Sequence, residues 1–551
     1  MNPSTYERKM QTKMPRSRAD LPTMLIHWGL FATLLISIST GWRIAGLSDP
    51  HPLLRWIDAL LLQGNVLQWH FVSASALVGL TAAYLVFLWR ARLGGRLKLR
   101  AASLRSPDRN TRWQAVNRLI YWIALALLAG AAVTGVVLYF FPGLLPTEPL
   151  ALVHQALSWA FVGYIVLHVV AQIVQGGLGQ LLKIVTPRIA YGLAAGLAAG
   201  AGLSAAAVAY VADRNNMPEL VVGRTTAPPI LDGQADESWA LARPAVVHTS
   251  RGLGLTGGEV PVHVRAMHDG EYVYFLFRWA DATRSQKHLP LIKTEQGWRL
   301  MQTNYDRNDE NDYYEDKFAV MLARSPVAGG DSVLLGSQPL RDKPPPSHGL
   351  GLHATSDGSL ADVWHWKSVR TGSINQLDDN YFGSPMDPKE GARYTGGYTQ
   401  DPSTGGGFDQ NFSKIKNSTF VKPKFLPRDL AAQQKLMGRF NPDPNVGDDG
   451  AYSMHQSEVV PWNPELDSAV PVGTVIPSVI YETPFGGDRG DVIGHATWKD
   501  GWWTLEARRL ARTASAFDQP IVDGMFMWLA VFDHNQVRHT RHLQPLRLTL
   551  H

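Results

Sequence analysis

Hydrophobic residues are distributed unevenly along this chain. Up to about residue 212 they form five apolar runs, each long enough for a helix of about 20 residues that crosses a bilayer, at about residues 24–44, 66–89, 116–141, 150–174 and 189–211. Beyond residue 213 the runs are short and alternate between apolar and polar residues, which is typical of β-strands. The pattern predicts a membrane-embedded helical half followed by a soluble β-rich half.

The soluble half carries several further signs of β structure. It is rich in Gly, Pro, Asp and Trp, and the alternating runs at residues 260–267 and 272–279 are separated by the hairpin turn Asp269-Gly270. Many short strands joined by turns are typical of an antiparallel β-sandwich. The passages at 329–351 and 372–449 are expected to be long loops over its surface.

The predicted organisation has four parts. A cytoplasmic tail of residues 1–23 precedes a four-helix unit at 24–187, a fifth transmembrane helix at 188–212 and a β-sandwich domain at 213–551. The first apolar run is too long for a signal peptide, and no small-residue cleavage site follows it, so we expect it to be retained.

Basic residues are concentrated in one loop of the helical half. Residues 90–112 contain eight Arg and Lys residues against a single Asp, whereas residues 47–64 have one Arg and two Asp. The positive-inside rule therefore places this loop and the N-terminus in the cytoplasm. Five crossings then place residues 213–551 in the periplasm, so we expect an inner-membrane protein.

Four histidines lie inside the apolar runs. His154 and His168 are fourteen residues apart in the fourth run, which is about 21 Å and nearly four full turns of a helix, so both leave the same face at different depths. His27 opens the first run and His70 opens the second. Ionisable side chains inside a membrane are costly and usually functional. Matched depths predict the pairs His27 with His168 and His70 with His154, as ligands of two b-type haems; polar contacts between helices are the alternative for any one of them.

The chain contains no cysteine. Iron–sulfur clusters, disulfides and covalently attached c-type haem are therefore excluded. No nucleophile triad, phosphate loop, Rossmann fingerprint or nucleic-acid motif is present, so no catalytic residue is predicted and the chemistry must come from cofactors.

Together with the four histidines, Thr-Gly-Trp-Arg at residues 40–43 and Thr-Gly at 134–135 make residues 20–180 resemble the di-haem cytochrome b of the bacterial cytochrome b561 type. The resemblance implies a four-helix bundle around two haems. The glycines could let a macrocycle approach the backbone; close helix packing is the alternative. Arg43 is a candidate partner of a haem propionate, or a simple interfacial arginine.

Residues 228–550 resemble the haem-binding domain of the ethylbenzene dehydrogenase and dimethyl sulfide dehydrogenase γ-subunit family. The resemblance is carried by the hairpin at 269–270 and by three motifs, at residues 231–239 (Leu-Asp-Gly-x-x-Asp-Glu-x-Trp), 361–367 (Ala-Asp-Val-Trp-His-Trp-Lys) and 498–503 (Trp-Lys-Asp-Gly-x-Trp). It implies one further b-type haem, with methionine and lysine as axial ligands in the best-known members.

Several residues of this chain fit that ligand pattern. His353 and Met321 are the first candidates and Lys367 the next, while Met301 lies just before the strand of Met321. The indoles of the 361–367 motif are expected to form an apolar slot for the macrocycle. Three C-terminal histidines, which suggest either a metal cluster or a solvated strand end, are His534, His539 and His542.

The fifth apolar run has no histidine. It carries glycines at every fourth position, Gly192, Gly196 and Gly200. Such a stripe favours close helix contact, either with the bundle or with a second copy in a homodimer.

These features favour a membrane-bound b-type cytochrome that carries electrons between the quinone pool and a periplasmic redox partner. That partner would be a soluble electron carrier or an oxidoreductase subunit, so quinol:acceptor oxidoreductase activity remains open. One alternative is a membrane-anchor electron-transfer subunit of a larger periplasmic oxidoreductase. Another is a haem- or ligand-sensing membrane protein whose sandwich binds a carbohydrate-like ligand.

Overall fold

The chain divides into two compact units. A computed structural model describes residues 19–46, 57, 60–62, 64–185, 191–302, 312–326, 332–333, 355, 358–384, 398–416, 418–536 and 538–551. The helical unit comprises Met1–Trp42, Gln68–Leu144 and Pro149–Asn216. The β unit comprises Arg43–Leu67, Leu145–Glu148 and Met217–His551.

Among the described residues, five helices are long and apolar enough to cross a membrane. They are α1 (Leu21–Gly46), α2 (Val66–Arg90), α3 (Arg109–Phe140), α4 (Thr147–Gly176) and α5 (Gly192–Asn215). The predicted helices are confirmed, although α3 begins earlier than its apolar run. It does so because Asp108 caps it, accepting a hydrogen bond from the backbone N–H of Thr111 at 2.8 Å.

Small residues bring α5 close to α2. A Cβ atom on Gly79 would lie 3.0 Å from the carbonyl oxygen of Gly202, so the two backbones are nearly in contact. Ala194 and Ala198 of α5 are buried in the same apolar cluster as Phe87. By contrast, nothing described lies within 4 Å of such a Cβ atom on the glycines of the predicted stripe, Gly192, Gly196 and Gly200. The contact therefore uses the alanines and Gly202, and the homodimer stays a prediction.

The β unit contains many short strands. In the first half they are β1 (Gly64–Asn65), β2 (Glu219–Arg224), β3 (Ala245–Thr249), β4 (Val260–His268), β5 (Tyr272–Ala280), β6 (Leu291–Thr294), β7 (Gly297–Leu300), β8 (Lys317–Ala323), β9 (Ser332–Val333), β10 (Ala361–Lys367), β11 (Asp378–Phe382) and β12 (Tyr398–Gln400). In the second half they are β13 (Phe408–Gln410), β14 (Phe412–Lys414), β15 (Phe420–Pro423), β16 (Phe425–Pro427), β17 (Ser453–His455), β18 (Val459–Pro461), β19 (Val475–Ile476), β20 (Val479–Tyr481), β21 (Ile493–Lys499), β22 (Trp502–Leu510), β23 (Phe526–Phe532) and β24 (Leu546–Leu550).

The largest sheet has 12 strands in the order β12-β11-β10-β8-β23-β24-β2-β4-β5-β22-β21, with β3 paired to β4. It curls around an aromatic core that includes Phe275, Phe277, Trp279, Phe318, Trp364, Trp366 and Trp503. The predicted all-β domain is confirmed. The sheet is mixed, however, because β2 runs parallel to both β24 and β4. Neither pair is joined by a tight turn, and long connections permit parallel pairing.

The passage at 372–449 was expected to be a long loop, but it contains regular secondary structure. It contains β11 to β16 and the helix α6 (Leu430–Met437), and a further helix, α7 (Pro464–Ala469), follows it. These strands have three to five residues each, which is too short to show an alternating pattern. The other expected loop, at 329–351, lies largely outside the described residues.

The motif at residues 231–239 holds two parts of the β unit together. One carboxylate oxygen of Glu506, on β22, accepts hydrogen bonds from the backbone N–H groups of Asp232 and Gly233 at 3.0 and 2.8 Å. The other accepts from the indole N–H of Trp239 at 2.6 Å. Gly233 has φ 81°, and a Cβ atom there would meet the Thr497 hydroxyl at 2.6 Å, so only glycine fits. The motif is therefore structural.

Candidate functional site

The four histidines of the helical unit form two pairs. The ring centroids of His27 and His168 are 6.3 Å apart, and those of His70 and His154 are 6.1 Å apart. With metal–nitrogen bonds of about 2 Å, two imidazoles on opposite sides of one metal ion have centroids roughly 6 Å apart. Both pairs therefore have the spacing that a bis-histidine haem requires. They are the pairs suggested by depth, and their ligand role stays a prediction.

Threonines orient the rings of one pair. Nδ1 of His70 lies 3.1 Å from the hydroxyl of Thr40 and 3.0 Å from the carbonyl oxygen of Ser37. Nδ1 of His154 lies 2.8 Å from the hydroxyl of Thr134. In both cases the partner is on the preceding helix, α1 or α3, so the same contact occurs twice.

The hydrogen-bond directions decide the tautomer of these two histidines. The Thr40 hydroxyl is 2.7 Å from the carbonyl oxygen of Ile36, and the Thr134 hydroxyl is 2.8 Å from that of Gly130. Each hydroxyl donates to that carbonyl and can then only accept from the histidine, so Nδ1 carries the proton. Nε2 keeps its lone pair, which is the form that binds a metal.

The glycines that follow these threonines contact the same rings. A Cβ atom on Gly41 would lie 3.1 Å from Cε1 of His70, and one on Gly135 would lie 3.3 Å from Cε1 of His154. Two roles were open for these glycines, close approach of a macrocycle to the backbone and close helix packing. In the structure they make room for the histidine rings, because any side chain there would displace the imidazole.

Aromatic residues surround the other pair. Tyr164 stacks on His168 with centroids 5.7 Å apart, Tyr121 lies 5.6 Å from the same ring, and Trp28 meets His27 edge-on at 5.5 Å. Nδ1 of both histidines is buried, with no hydrogen-bond partner in the described part of the chain. The two pairs therefore differ in the hydrogen bonds made by their imidazole Nδ1 atoms.

A network of amides lies beside His168. Nε2 of Gln172 donates to Oδ1 of Asn117 at 2.9 Å and lies 3.3 Å from the Tyr121 hydroxyl. Asn117 is buried and donates in turn to Gln175. Buried polar groups in a membrane unit usually mark function. The sequence analysis missed this network, although Gln172 follows His168 by four residues and so shares its helix face.

Arg43 bonds to the protein backbone. Its buried guanidinium donates to the carbonyl oxygens of Leu61 at 3.1 Å and Leu62 at 3.2 Å. These hydrogen bonds use part of the donor capacity of the Arg43 guanidinium. Its expected role with a haem propionate stays a prediction.

In the β unit, β10, β8 and β23 share a face that lies outside the aromatic core. Strand register places His365 between Ala319 of β8 and Asp378 of β11, and Ala319 beside Ala530 of β23, so small residues lie on one side of the histidine. On the same face, the next row of paired residues in one direction contains Met321, and the next row in the opposite direction contains Lys367. Their rows are four residues of β10 apart, roughly 13 Å at a strand rise of about 3.3 Å per residue. We call this the outer face.

The indoles of the 361–367 motif point away from the outer face. Trp364 and Trp366 are buried in the aromatic core, where Trp366 lies 4.8 Å from Trp503 and Trp364 lies 5.7 Å from Phe275, centroid to centroid. Side chains alternate between the two faces along a strand, so these indoles cannot share a face with Lys367. The expected tryptophan slot is therefore wrong.

The outer face also contains a histidine that the sequence analysis did not single out. Nε2 of His365 is buried, with no hydrogen-bond partner among the described residues, and its ring stacks on Phe532 at 5.3 Å. Burial, aided by the charges of Lys367 and Lys317, holds the pKa of His365 well below its ordinary value. The imidazole is therefore neutral. Its place in the alternating motif was the signal that could have found it.

The candidate ligands of the β unit differ in their surroundings. Lys367 forms a buried ion pair with Asp378; burial lowers the pKa of Lys367 to about 8, although that carboxylate opposes the shift. Met321 is buried among apolar residues of the outer face. Met301 instead packs in a separate cluster with Met437. His353 lies outside the described residues, and its role stays a prediction.

The three C-terminal histidines do not converge. His542 accepts at Nε2 from the backbone N–H of Leu529 at 2.8 Å and donates from Nδ1 to the carbonyl oxygen of Gln544 at 2.6 Å. His534 pairs with the neighbouring Asp533, and His539 with the carbonyl of Thr540. Among the described residues, none of them belongs to a group that could hold a metal ion.

Two family models match the chain in separate regions. Residues 18–187 match prokaryotic cytochrome b561, and residues 236–543 match ethylbenzene dehydrogenase. No curated protein matches the chain.

Among solved structures, the chain resembles a family 9 carbohydrate-binding module from Caldicellulosiruptor kristjanssonii. In its complex with glucose the identity is 9%, with 60% of this chain and 95% of the module covered at a TM-score of 0.23. In its complex with cellotriose the identity is 10%, with 60% and 94% covered at a TM-score of 0.22. Likeness at these TM-scores is too low to bear on function. On the family matches, the chain belongs to the ethylbenzene dehydrogenase family, and its N-terminal part to the prokaryotic cytochrome b561 family.

Proposed function

We propose that this protein is a b-type cytochrome of the inner membrane that carries electrons between quinone and a periplasmic redox partner. The observation that carries the proposal is the pair of histidine couples, with ring centroids 6.3 and 6.1 Å apart, on helices long enough to cross the membrane. Bound haem supplies reversible one-electron transfer. Membership of the cytochrome b561 family supports both the haem type and the electron transfer.

The chain holds the two proposed haems at different depths. His154 and His168 are separated by fourteen residues of α4, about 21 Å along the helix. Thr40 and Thr134 fix the tautomer of His70 and His154, while stacking by Tyr164 orients His168. Two haem positions on one helix give electrons a path through most of the bilayer thickness.

The test is the haem content of ligand variants of the full-length protein in detergent. His154→Ala and His168→Ala should each lose one acid-acetone-extractable haem and one step of the redox titration, because each removes one ligand of a different pair. His248→Ala, at an exposed position of β3, should keep the parental haem content. If His154→Ala and His168→Ala both retain every haem, the pairing is wrong.

We propose that the amide network beside His168 binds the quinone head group. Asn117, Gln172 and Tyr121 offer both hydrogen-bond donors and acceptors, which quinone carbonyls and quinol hydroxyls need in turn. Gln172→Leu should slow haem reduction by a soluble quinol at least tenfold without loss of haem. Gln155→Leu, on the same helix near the other pair, should leave the rate unchanged; the reverse result would move the quinone to that pair.

We further propose that the outer face of the β unit holds a third haem, with Met321 and Lys367 as axial ligands. The two residues lie on either side of the row of His365, Ala319 and Ala530, in which two of the three side chains are small. A lysine whose pKa is lowered to about 8 loses its proton readily. The Met and Lys ligands of the family that this domain resembles support the choice.

Ligand variants separate the candidates of the β unit. Met321→Leu and Lys367→Leu should each convert a low-spin spectral component to five-coordinate high-spin, whereas Met527→Leu, at a buried core position, should not. If His353→Ala causes the change and Lys367→Leu does not, His353 replaces Lys367 as the ligand. A chain with only two haems would refute the third site.

A second candidate function is a membrane-anchor subunit of a larger oxidoreductase, which the ethylbenzene dehydrogenase family match favours. Co-purification of a large redox subunit would support it, whereas quinol oxidation by the isolated chain would favour an independent quinol-oxidising role. The ligand-sensing alternative would gain support if the β unit carried no haem.

A further inference from the structure

Five aspartates come together at one edge of the large sheet. Asp362 lies on β10, Asp379 lies on β11, and Asp401 follows β12, while Asp491 and Asp518 lie in the connections before β21 and β23. All except Asp491 are buried. Carboxylate oxygens of Asp379, Asp491 and Asp518 lie within 4.8 Å of one another. We call the five residues the aspartate cluster.

One arginine neutralises part of this negative charge. Arg509 forms a buried ion pair with Asp362 and lies 3.6 Å from a carboxylate oxygen of Asp518. The backbone N–H of Gln519 also donates to Asp362, at 3.1 Å. Asp362 is therefore largely satisfied by the protein, and the charge of the other members is not matched by a second basic partner among the described residues.

Most carboxylate oxygens of the cluster have no hydrogen-bond partner within the described residues. They are Oδ1 of Asp362, Oδ2 of Asp379, both oxygens of Asp401, Oδ1 of Asp491 and both oxygens of Asp518. Burying an ionised carboxylate without a partner is strongly unfavourable. These oxygens therefore need protons or a cation.

Asp401 points to a ligand independently of the three convergent carboxylates. It is 3% exposed, neither of its carboxylate oxygens has a donor among the described residues, and its carboxyl group contacts that of Asp518. Two carboxylates in contact cannot both be ionised unless a positive charge lies between them.

A second acidic group in the same unit shows the contrast. Asp316 accepts from the backbone N–H of Ser285 at 2.7 Å, that of His534 at 3.0 Å and the indole of Trp503 at 3.2 Å. Its neighbours Asp281 and Asp533 also accept from protein donors. Protein groups thus satisfy most of that cluster, in which Oδ2 of Asp281 is the one carboxylate oxygen that is buried without a hydrogen-bond partner among the described residues. It provides a matched control.

We propose that Asp379, Asp401, Asp491 and Asp518 bind a divalent cation, Ca²⁺. Calcium takes six to eight oxygen ligands in flexible geometry and favours carboxylates, whereas Mg²⁺ requires a strict octahedron and keeps several waters. The unpartnered oxygens of the aspartate cluster are of the right type and sufficient in number. The site does not depend on haem in either unit.

A bound cation would join segments that are distant in sequence. It would connect β11 to the residues after β12 and to the connections before β21 and β23, at the edge where Arg509 lies 5.1 Å over the ring of Trp364. Its role is therefore stabilisation of this sheet edge. Asp379 also adjoins Asp378, the partner of Lys367, so the cation would help to position β11 beside the outer face.

Protonation and cation binding compete in such a cluster. Burial and the neighbouring carboxylates raise the pKa of Asp401 to about 8 and that of Asp491 to about 7. Binding of Ca²⁺ near pH 7 should consequently release protons.

The test uses the full-length protein in detergent, stripped with EDTA and then freed of chelator. Titration with CaCl₂ should show one saturable site per chain with proton release into a weak buffer. The unfolding temperature of the β unit should rise on the order of 5 °C when Ca²⁺ reaches about 100 times Kd. MgCl₂ should bind at least tenfold more weakly; equal binding would overturn the choice of Ca²⁺.

Variants decide whether the aspartate cluster is the site. Asp401→Asn should weaken Ca²⁺ binding at least tenfold. In EDTA at pH 8.5, where Asp401 with its pKa raised to about 8 is ionised, it should raise the unfolding temperature because it removes a repelling charge. Asp281→Asn, in the cluster that protein donors mostly satisfy, should leave Ca²⁺ binding unchanged. If Asp401→Asn fails to fold, Asp491→Asn at the half-buried position takes its place. A folded parent without saturable binding, or equal weakening by Asp281→Asn, would refute the site.

Discussion

The same Thr-Gly pair occurs in α1 and in α3, and each pair holds one histidine of the next helix. The threonine hydroxyl accepts from Nδ1, and the glycine leaves room for the ring. An imidazole held at one nitrogen can rotate little and presents the other nitrogen in a fixed direction. The two Thr-Gly sequences therefore position the two histidines, His70 and His154, that face each other at one end of the bundle.

We expect Thr134→Val to weaken haem binding at the His70–His154 pair. Valine has nearly the same shape but no hydroxyl, so His154 would lose its Nδ1 partner, and loss of such a partner typically lowers metal affinity by about 10–100-fold. Haem retention during dilution and a redox titration would measure the effect. The matched control is Thr81→Val, because the Thr81 hydroxyl bonds, among the described residues, only to the carbonyl of Leu77 on its own helix. Equal haem loss in both variants would contradict the role of Thr134.

The glycines of helix α5 lie on two different surfaces, one packed against α2 and one without a described neighbour. Gly202 meets Gly79 almost backbone to backbone, whereas Gly196 has no described neighbour within 4 Å of its Cβ position. Close backbone approach lets membrane helices associate without a hydrophobic driving force. The first glycine serves packing within the chain, and the second is available to a homodimer.

Leucine at Gly79, which contacts Gly202, should have a different effect from leucine at Gly196. Gly79→Leu would force a side chain against the carbonyl of Gly202, at a cost of about 1–3 kcal/mol or more, and should lower the thermal stability of the helical unit. Gly196→Leu should leave that stability unchanged. Size-exclusion chromatography with light scattering tests the homodimer, since Gly196→Leu should shift a dimer toward monomer. Equal loss of stability in both variants would contradict the packing described.

The strand β10 also has two functions on its two faces. Trp364 and Trp366 build the aromatic core, while His365 and Lys367 reach the outer face. Consecutive residues of one motif therefore have separate roles. The tryptophans stabilise the fold, whereas His365 and Lys367 lie on the face that we propose for the third haem.

The whole chain is polarised by charge, with eight basic residues against one acid at 90–112. We expect a reporter enzyme that is active only after export to work when fused after His551. A reporter that is active only in the cytoplasm should work when inserted near Gly95. Each reporter is also fused at the other position as a control. Export-dependent activity near Gly95 together with cytoplasmic activity after His551 would reverse the proposed orientation.

The stability of the β unit should depend on pH and on Ca²⁺. Asp401 and Asp491 have pKa values raised to about 8 and about 7, from 3.8 for an ordinary aspartate. The folded state therefore binds more protons, and the stability from these groups is present below pH 3.8 and lost as pH rises through 7–8. In EDTA the unfolding temperature should fall from pH 5 to pH 8.5.

With saturating Ca²⁺ the fall over the same pH series should be smaller, because the cation replaces the protons of the aspartate cluster. Asp281, whose pKa burial and Asp533 also raise to about 8, still contributes to the fall. Differential scanning calorimetry of the full-length protein measures both series. Asp401→Asn should reduce the fall in EDTA. A parent whose stability in EDTA rises over this range would contradict the assignment of protons to these carboxylates.

Local periodicity was enough to predict the five helices, the all-β class of the second unit and the matched depths of His27 with His168 and His70 with His154. These properties depend on the apolar runs and on the fixed rise of a helix, which any segment of the chain shows without its neighbours. The family resemblance likewise rested on contiguous motifs such as 361–367.

Contacts between distant segments could not be read from the chain in this way. Thr134 meets His154 across a helix pair, and Asp379 approaches Asp518 across 139 positions of sequence. The inward direction of Trp364 depends on which face of the curled sheet is enclosed, and a strand alone shows alternation without showing which side is buried. Folding therefore decided the histidine tautomers, the position of the tryptophans and the convergence of the aspartates, because each depends on how separate elements pack and pair.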